Sequence, residues 1–306
     1  MSRLGIRNTM RLAGVCNRIQ HSGEDRWRRS LYQDQLDALL AENGAPAFPS
    51  VSMHDGFAID TSLSLPHLDR VLEDSEKIIA ERSGARFPGD SYRSYFQDVW
   101  RTEDLDNYPS FLDFVTSSQL LRTVADYLKC IPMLSTTLPA GIRFVESNAA
   151  FDDQPDNPKD SQLYHIDYYS LPNVYMILLL RDTTPEQGPF TFLPRSVSQK
   201  AAKELGYWSK RRGYRVSDRE IYSAADRKEV IEFCYPRGTV LFMESTGCFH
   251  YGSRNAIKPR YQLMVAYNGA CRTDFSEAIL PHKVYPIRAT DSQLRKMVLD
   301  KKLPRE

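Results

Sequence analysis

A chain of 306 residues, 42% of them apolar, can bury a sizeable core in one large domain or two ordinary ones. Its 40 Lys and Arg against 39 Asp and Glu leave a net charge of +1, which argues against a general nucleic-acid binder. No run of about 18 apolar residues occurs, so no membrane span is predicted, and five widely spaced cysteines (Cys16, Cys130, Cys234, Cys248, Cys271) without a Cys-x-x-Cys pair read as reduced thiols of a cytoplasmic protein.

Residues 1–30 read as a basic N-terminal segment, with arginine at 3, 7, 11, 18, 26, 28 and 29 against only Glu24 and Asp25. Arg3, Arg7, Arg11 and Arg18 fall on one helical face. The stretch lacks a long apolar segment and so is no secretory signal. Three readings stay open: a helix packed on its own domain, a peripheral contact with an anionic membrane surface, or an Arg-rich targeting segment. Gly5 and Gly14 weaken a helix there. Leu31, Leu36, Leu39 and Leu40 predict a helix over 30–42, ended by Asn43-Gly44. A strand is expected over 51–59, and a helix over 66–82 with Pro66 in its first turn. The aromatic stretch 91–100 either lines a pocket or roofs the core, and 108–130 holds one or two further helices.

From residue 138 the apolar period shortens towards two. Strands are expected at 141–147, 174–180, 190–194, 230–234, 238–243 and 260–267, with a polar, Pro-rich loop over 147–160. The charged, helical stretch 198–228 interrupts them and reads either as a lid or as a solvated excursion. The charged tail beyond 283 reads as helical. Many short alternating strands suggest a mainly β fold with flanking helices, a double-sheet jelly roll of the cupin sort. On this reading residues 31–306 form a single domain, with core strands over about 138–270.

One motif stands out within that pattern. Residues 162–167 read Gln-Leu-Tyr-His-Ile-Asp, and on a strand His165 and Asp167 point to the same face. A second imidazole from a distant strand, His250, would complete two histidines and one carboxylate around a metal. That set leaves three positions open and is the mark of non-heme Fe(II) oxygenases, although its ligand types also tolerate Mn, Co, Ni or Zn. A His-x-Asp triplet alone is weak evidence, because one arises readily by chance. Its context is stronger: the turn Gly188-Pro189, the run through Pro194, the approach to Phe249-His250-Tyr251, and Arg260 opening the next strand. Cys248 reads as a small buried residue rather than a ligand.

In their order these motifs resemble the phytanoyl-CoA dioxygenase-like family of Fe(II)/2-oxoglutarate oxygenases, over about residues 55–269. Asp-Gly-Phe-Ala-Ile at 55–59 is similar to that family's opening strand. Family members usually read Pro-Gly-Ser-His where this chain has Pro194-Arg195-Ser196-Val197, a departure that spares the metal triad but makes the substrate mouth atypical. The resemblance implies a double-stranded β-helix, Fe(II) on His165, Asp167 and His250, and 2-oxoglutarate gripped by Arg260, whose planar guanidinium suits a carboxylate. Tyr175, Thr191 and Ser253 are further candidates for 2-oxoglutarate, and Arg195 and Arg254 for a small, anionic substrate. Gln162 reads either as orienting the substrate or as supporting the site from behind the ligands. The implied activity is a dioxygenase that uses O2 to hydroxylate an unactivated C–H bond and releases succinate and CO2. With Asp167 present, hydroxylation is favoured over halogenation. The alternative is a non-catalytic or differently metallated cupin-like metal-binding protein.

Overall fold

The apolar run at the centre of the chain folds as strand β5 (Asn173–Leu179), buried along its whole length. A strand apolar on both faces needs neighbours on both edges and a layer on each side, and the molecule is built outward from that requirement. The structure, a computed structural model, describes residues 5–44, 50–85, 95–101, 103–137, 141–152, 156–209 and 214–301. On one edge β5 pairs antiparallel with β10 (Arg260–Asn268), and on the other with β8 (Val240–Met243). Beyond β8 lies β1 (Phe57–Asp60). Beyond β10 lie β4 (Ile142–Ser147) and β2 (Phe96–Asp98), and β3 (Met133–Leu134) also pairs with β10. A second sheet of β6 (Thr191–Phe192), β7 (Ile231–Glu232) and β9 (His250–Tyr251) runs in the order β7-β6-β9. Single-residue bridges extend it from His250 to His165 and from Tyr164 to Val216. The two antiparallel sheets face one another as a jelly roll, the double-stranded β-helix.

Strand alternation divides the side chains. Tyr175, Ile177 and Leu179 of β5 point inward with Leu241, Met243 and Ala266, and meet Phe190, Phe192 and Phe233 from the small sheet. Val174, Met176 and Leu178, with Leu263, Val265 and Tyr267 of β10, point outward into a helical layer. That layer comprises α1 (Ile6–Glu42), α2 (Leu68–Arg82), α3 (Asp104–Asn107), α4 (Ser110–Val115), α5 (Ser118–Leu128) and, after the short α8 (Ser276–Ile279), α9 (Gln293–Leu299). Helices hold more residues than strands, so the sheets form a small barrel in a thick helical coat.

Several boundaries differ from expectation. Helix α1 runs without a break through residue 30. Its Met10 and Ala13 are buried, and Asn17 donates to the carbonyls of Arg272 and Asp274 at 2.9 and 2.8 Å, so this helix packs on the barrel despite Gly14. Strand β1 starts only at Phe57, because Asp55 and Gly56 turn at φ 49° and 86°. The charged stretch at 198–228 forms α6 (Arg195–Glu204) and α7 (Asp218–Ala224). These pack Ala201, Ala202 and Ile221 with Tyr164, Val216 and Phe249 in a cluster of their own, so the described part of the insertion is no solvated excursion. Beyond 283, helix is confined to α9 among the described residues. No helix there is long and apolar enough to cross a membrane.

Candidate functional site

Residues 164–167 are extended, yet they pair only at single points instead of forming the continuous strand expected. His165 N–H donates to the His250 carbonyl at 3.1 Å and His250 N–H donates back at 3.0 Å. This reciprocal pair brings the two imidazoles to a centroid separation of 4.3 Å. Asp167 N–H donates to the Ser245 carbonyl at 3.0 Å, and Asn173, at the start of β5, donates to the Ser245 hydroxyl at 2.8 Å. The head of β5 therefore fixes the turn that holds Asp167.

The orientation of each imidazole follows from its neighbours. His165 Nδ1 lies 2.8 Å from the Leu163 carbonyl, and His250 Nδ1 lies 2.9 Å from the Cys248 carbonyl. A carbonyl only accepts, so both Nδ1 atoms carry the proton and both Nε2 atoms keep a lone pair for a metal. Those Nε2 atoms stand 3.9 and 3.8 Å from the Asp167 carboxylate oxygens. These separations are too long for hydrogen bonds. They suit donors set around one divalent ion, and all three donor atoms lie within 4.8 Å of one another. Phe190 stacks on His250 at 5.4 Å and shields it. The donor set fits a first-row divalent metal held from one side, with its other positions facing a cavity of about 320 Å³.

Arg260 opens β10 and lines the same cavity. Its Nη1 donates to the Gly188 carbonyl, and its Nη2 donates to the Ser253 and Ser147 hydroxyls at 3.0 and 3.4 Å. Its Nε is buried without a partner, and among the described residues it has no ion pair with any carboxylate. Burial pulls its pKa down from 12.5 to about 10. A buried cation without an acid is costly, and this one lies in the wall of the cavity.

The other expected site residues divide. Tyr175 and Ser253 line the cavity, Ser253 at the strained φ of 62° that aims its hydroxyl between Ser147 (2.7 Å) and Arg260. Thr191 does not line it: alternation along β6 turns Phe190 and Phe192 inward and Thr191 the other way, where its hydroxyl donates to the Pro189 carbonyl at 3.2 Å. Gln162 also lies outside the cavity lining; its amide donates to the Asp152 carboxylate and the Ser253 carbonyl at 2.8 and 2.9 Å. It braces Ser253, and so bears on Arg260 at one remove. Arg254 stacks on Tyr251, with its guanidinium carbon 3.4 Å from the ring centre, and reaches Asp218 of α7 at 2.7 Å. It is a strut between β9 and the insertion. Arg195 pairs with Glu244 at 3.2 Å and borders a separate groove of about 850 Å³ together with Arg7, Arg11, Arg18 and Lys203.

Several contributors, Phe190 and Tyr169 among them, were not singled out from the sequence. Gly188 supplies its carbonyl to Arg260, and Ser147 sits across from Arg260 in the β4–β10 register. Tyr214 and Arg215 reach the cavity from the insertion. The Gly-Pro turn and the strand end were visible, but nothing in the linear chain says which carbonyl or hydroxyl meets a guanidinium.

Fold and site together define the class: a jelly roll carrying two histidines and one carboxylate beside a buried anion-seeking arginine. No family model matches the chain, and no curated protein matches it by sequence. Among solved structures it is similar to EctD from S. alaskensis in its apoform, at 14% identity over 81% of this chain and 91% of that one, with a TM-score of 0.45. It is also similar to the epimerase SnoN in complex with Fe3+, alpha ketoglutarate and nogalamycin RO (14%, 76% and 83%, 0.42). A third is HygX from Streptomyces hygroscopicus with nickel, 2-oxoglutarate and hygromycin B bound (13%, 70% and 82%, 0.42). At this distance the likeness says nothing of this chain's own chemistry.

Proposed function

We propose that the protein is an Fe(II)/2-oxoglutarate-dependent dioxygenase that hydroxylates an unactivated C–H bond of a small molecule. The observation that carries this reading is the pairing, across one cavity, of a three-donor metal set with Arg260, a buried guanidinium without a carboxylate. A site that held only a metal would have no use for that uncompensated cation. Iron with 2-oxoglutarate and O2 supplies the oxidising chemistry, releasing succinate and CO2. His165 and His250 hold the metal through Nε2 while Nδ1–H stays fixed on a carbonyl, and Asp167 neutralises half of its charge. Arg260, steadied by Gly188, Ser253 and Ser147, takes the far carboxylate of 2-oxoglutarate, with the Tyr175 hydroxyl as a second donor into the cavity. Phe190, Tyr169 and Tyr214 keep water from the metal's open side.

The test is succinate formation from 2-oxoglutarate by the protein loaded with Fe(II) under air. Succinate above the metal-free background supports the reading. Tight metal binding with no succinate, in the presence of a broad set of small molecules, would make it a metal-binding protein of the same fold instead.

A further inference from the structure

Among the described residues, the charged groups that line the cavity are Arg143, Asp167, Arg215, Arg260 and Asp274. Two of them are satisfied within the protein. Arg143 grips Asp98 through Nε and Nη2 at 2.8–3.0 Å, and Asp274 takes two bonds from Arg272 at 2.8 and 2.9 Å. On the reading above, Asp167, a divalent metal, the two carboxylates of 2-oxoglutarate and Arg260 together sum to zero. Among the described residues one positive charge is left over, that of Arg215.

Arg215 is placed for recognition. Its guanidinium carbon lies 4.4 Å over the ring of Tyr214. Tyr214 in turn stands 5.8 Å from the His165 ring and 5.1 Å from that of Tyr168, and Arg215 lines the same cavity as His165. The segment is pinned on either side of its side chains. Val216 N–H donates to the Tyr164 carbonyl at 2.8 Å, and the Tyr214 carbonyl accepts from Tyr207 at 2.9 Å. The Nη1 of Arg215 is buried with no hydrogen-bond partner, and no ion pair engages the side chain among the described residues. A guanidinium held over an aromatic ring with a dry, unused donor is a receptor for a planar oxyanion.

We propose that Arg215 recognises a carboxylate on the primary substrate, so that the substrate is a small monocarboxylic acid. This rests on the dioxygenase reading. A single leftover positive charge matches a carboxylate better than a phosphate dianion. The part of the substrate that enters a cavity of about 320 Å³ shared with 2-oxoglutarate is small, and Phe96, Tyr168 and Tyr214 offer it flat apolar faces.

The experiment uses the full chain loaded with Ni(II) and 2-oxoglutarate, which holds the site without turnover. A panel of small aliphatic and aromatic carboxylic acids, each beside its neutral methyl ester, is screened by thermal shift and followed by calorimetry. Loading with nickel and 2-oxoglutarate is measured first; its failure overturns the dioxygenase reading and this proposal with it. With loading established, acids are expected to bind and their esters to bind at least about tenfold more weakly. Arg215→Leu should lose about tenfold in acid affinity, and Arg215→Lys should fall between, since it keeps the charge without the fork. Esters that bind as well as acids, no acid in the panel that binds, or Arg215→Leu with unchanged acid affinity would each overturn it. Loss of 2-oxoglutarate binding in Arg215→Leu would assign the arginine to the co-substrate and overturn it too.

Discussion

Arg260 gives the site its clearest thermodynamic signature. Its pKa falls from 12.5 in an open chain to about 10 in the fold, because burial disfavours the cation and no acid answers it. Between those values the unfolded chain binds more protons than the folded one, so stability rises with pH through that window. At neutral pH both states are protonated and the full penalty stands, about 3 kcal/mol. An arriving carboxylate removes it. Arg260→Met should therefore keep or raise the melting temperature of the ligand-free protein, while abolishing the stabilisation that 2-oxoglutarate gives the metal-loaded wild type. Equal stabilisation of both by 2-oxoglutarate would place the anchor elsewhere. The triad behaves differently, since each of its members is one of only three donors. His165→Ala, Asp167→Ala or His250→Ala should each leave a folded protein whose metal content and succinate formation collapse. Elemental analysis beside the turnover assay checks this, and full activity with iron retained would remove that residue from the set.

Among the elements, the Gly188-Pro189 turn and the 55–56 turn do most to shape the site. Gly188 sits at φ 59°, where a Cβ would come within 2.4 Å of the Arg254 carbonyl. Gly188→Ala must move the turn, and with it the carbonyl that steadies Arg260. A loss of about 1–3 kcal/mol in denaturant unfolding is expected, together with a raised KM for 2-oxoglutarate. Lost stability with an unchanged KM would show that the carbonyl is dispensable to the arginine. At Gly56 a Cβ would sit 2.8 Å from that of Arg195 and 2.9 Å from Cys248 Sγ, so the start of β1 and the start of α6 share one close contact. Asp55 completes the joint, its carboxylate accepting from the Ser196 N–H and hydroxyl at 2.8 and 2.6 Å. The Asp-Gly pair was legible as the entrance to a strand. Its second task, anchoring the helix after Pro194, depends on a partner 141 residues away and left no local trace.

For the whole molecule, metal and fold are linked by mass action. A ligand that binds only the folded state at a hundred times its Kd stabilises it by about 2.7 kcal/mol. Stripping the protein with a chelator should lower its melting temperature, and adding back metal and then 2-oxoglutarate should raise it in two steps. A melting temperature indifferent to both would mean that the cavity holds neither. The helical coat has its own ties. Arg82 of α2 binds Asp104 of α3 bidentately at 2.6 and 3.0 Å, buried and remote from the cavity lining. α1 is tied to α9 through Arg28, whose Nη2 donates to the Met297 carbonyl at 2.9 Å.

The sequence alone marked out most of the large sheet (β1, β4, β5, β8 and β10), because two-residue alternation decides which face of a strand is apolar. The short β2, β3 and β9 carry too few residues to show that alternation. The sequence also offered His165, Asp167, His250 and Arg260 as one constellation. Those four are recognisable by residue type and spacing, although only His250 and Arg260 open strands in the fold. Only the tertiary structure decided which of the remaining cations face the cavity. Arg254 follows His250 by four residues and Arg195 follows the strand after the Gly188-Pro189 turn, yet Asp218 and Glu244 hold them away from the cavity lining. Arg215, 35 residues before His250, is delivered by the bridge between Val216 and Tyr164. An arginine's long, flexible side chain takes its direction from whichever acid or ring it meets, and that partner is chosen by packing between segments far apart in the chain.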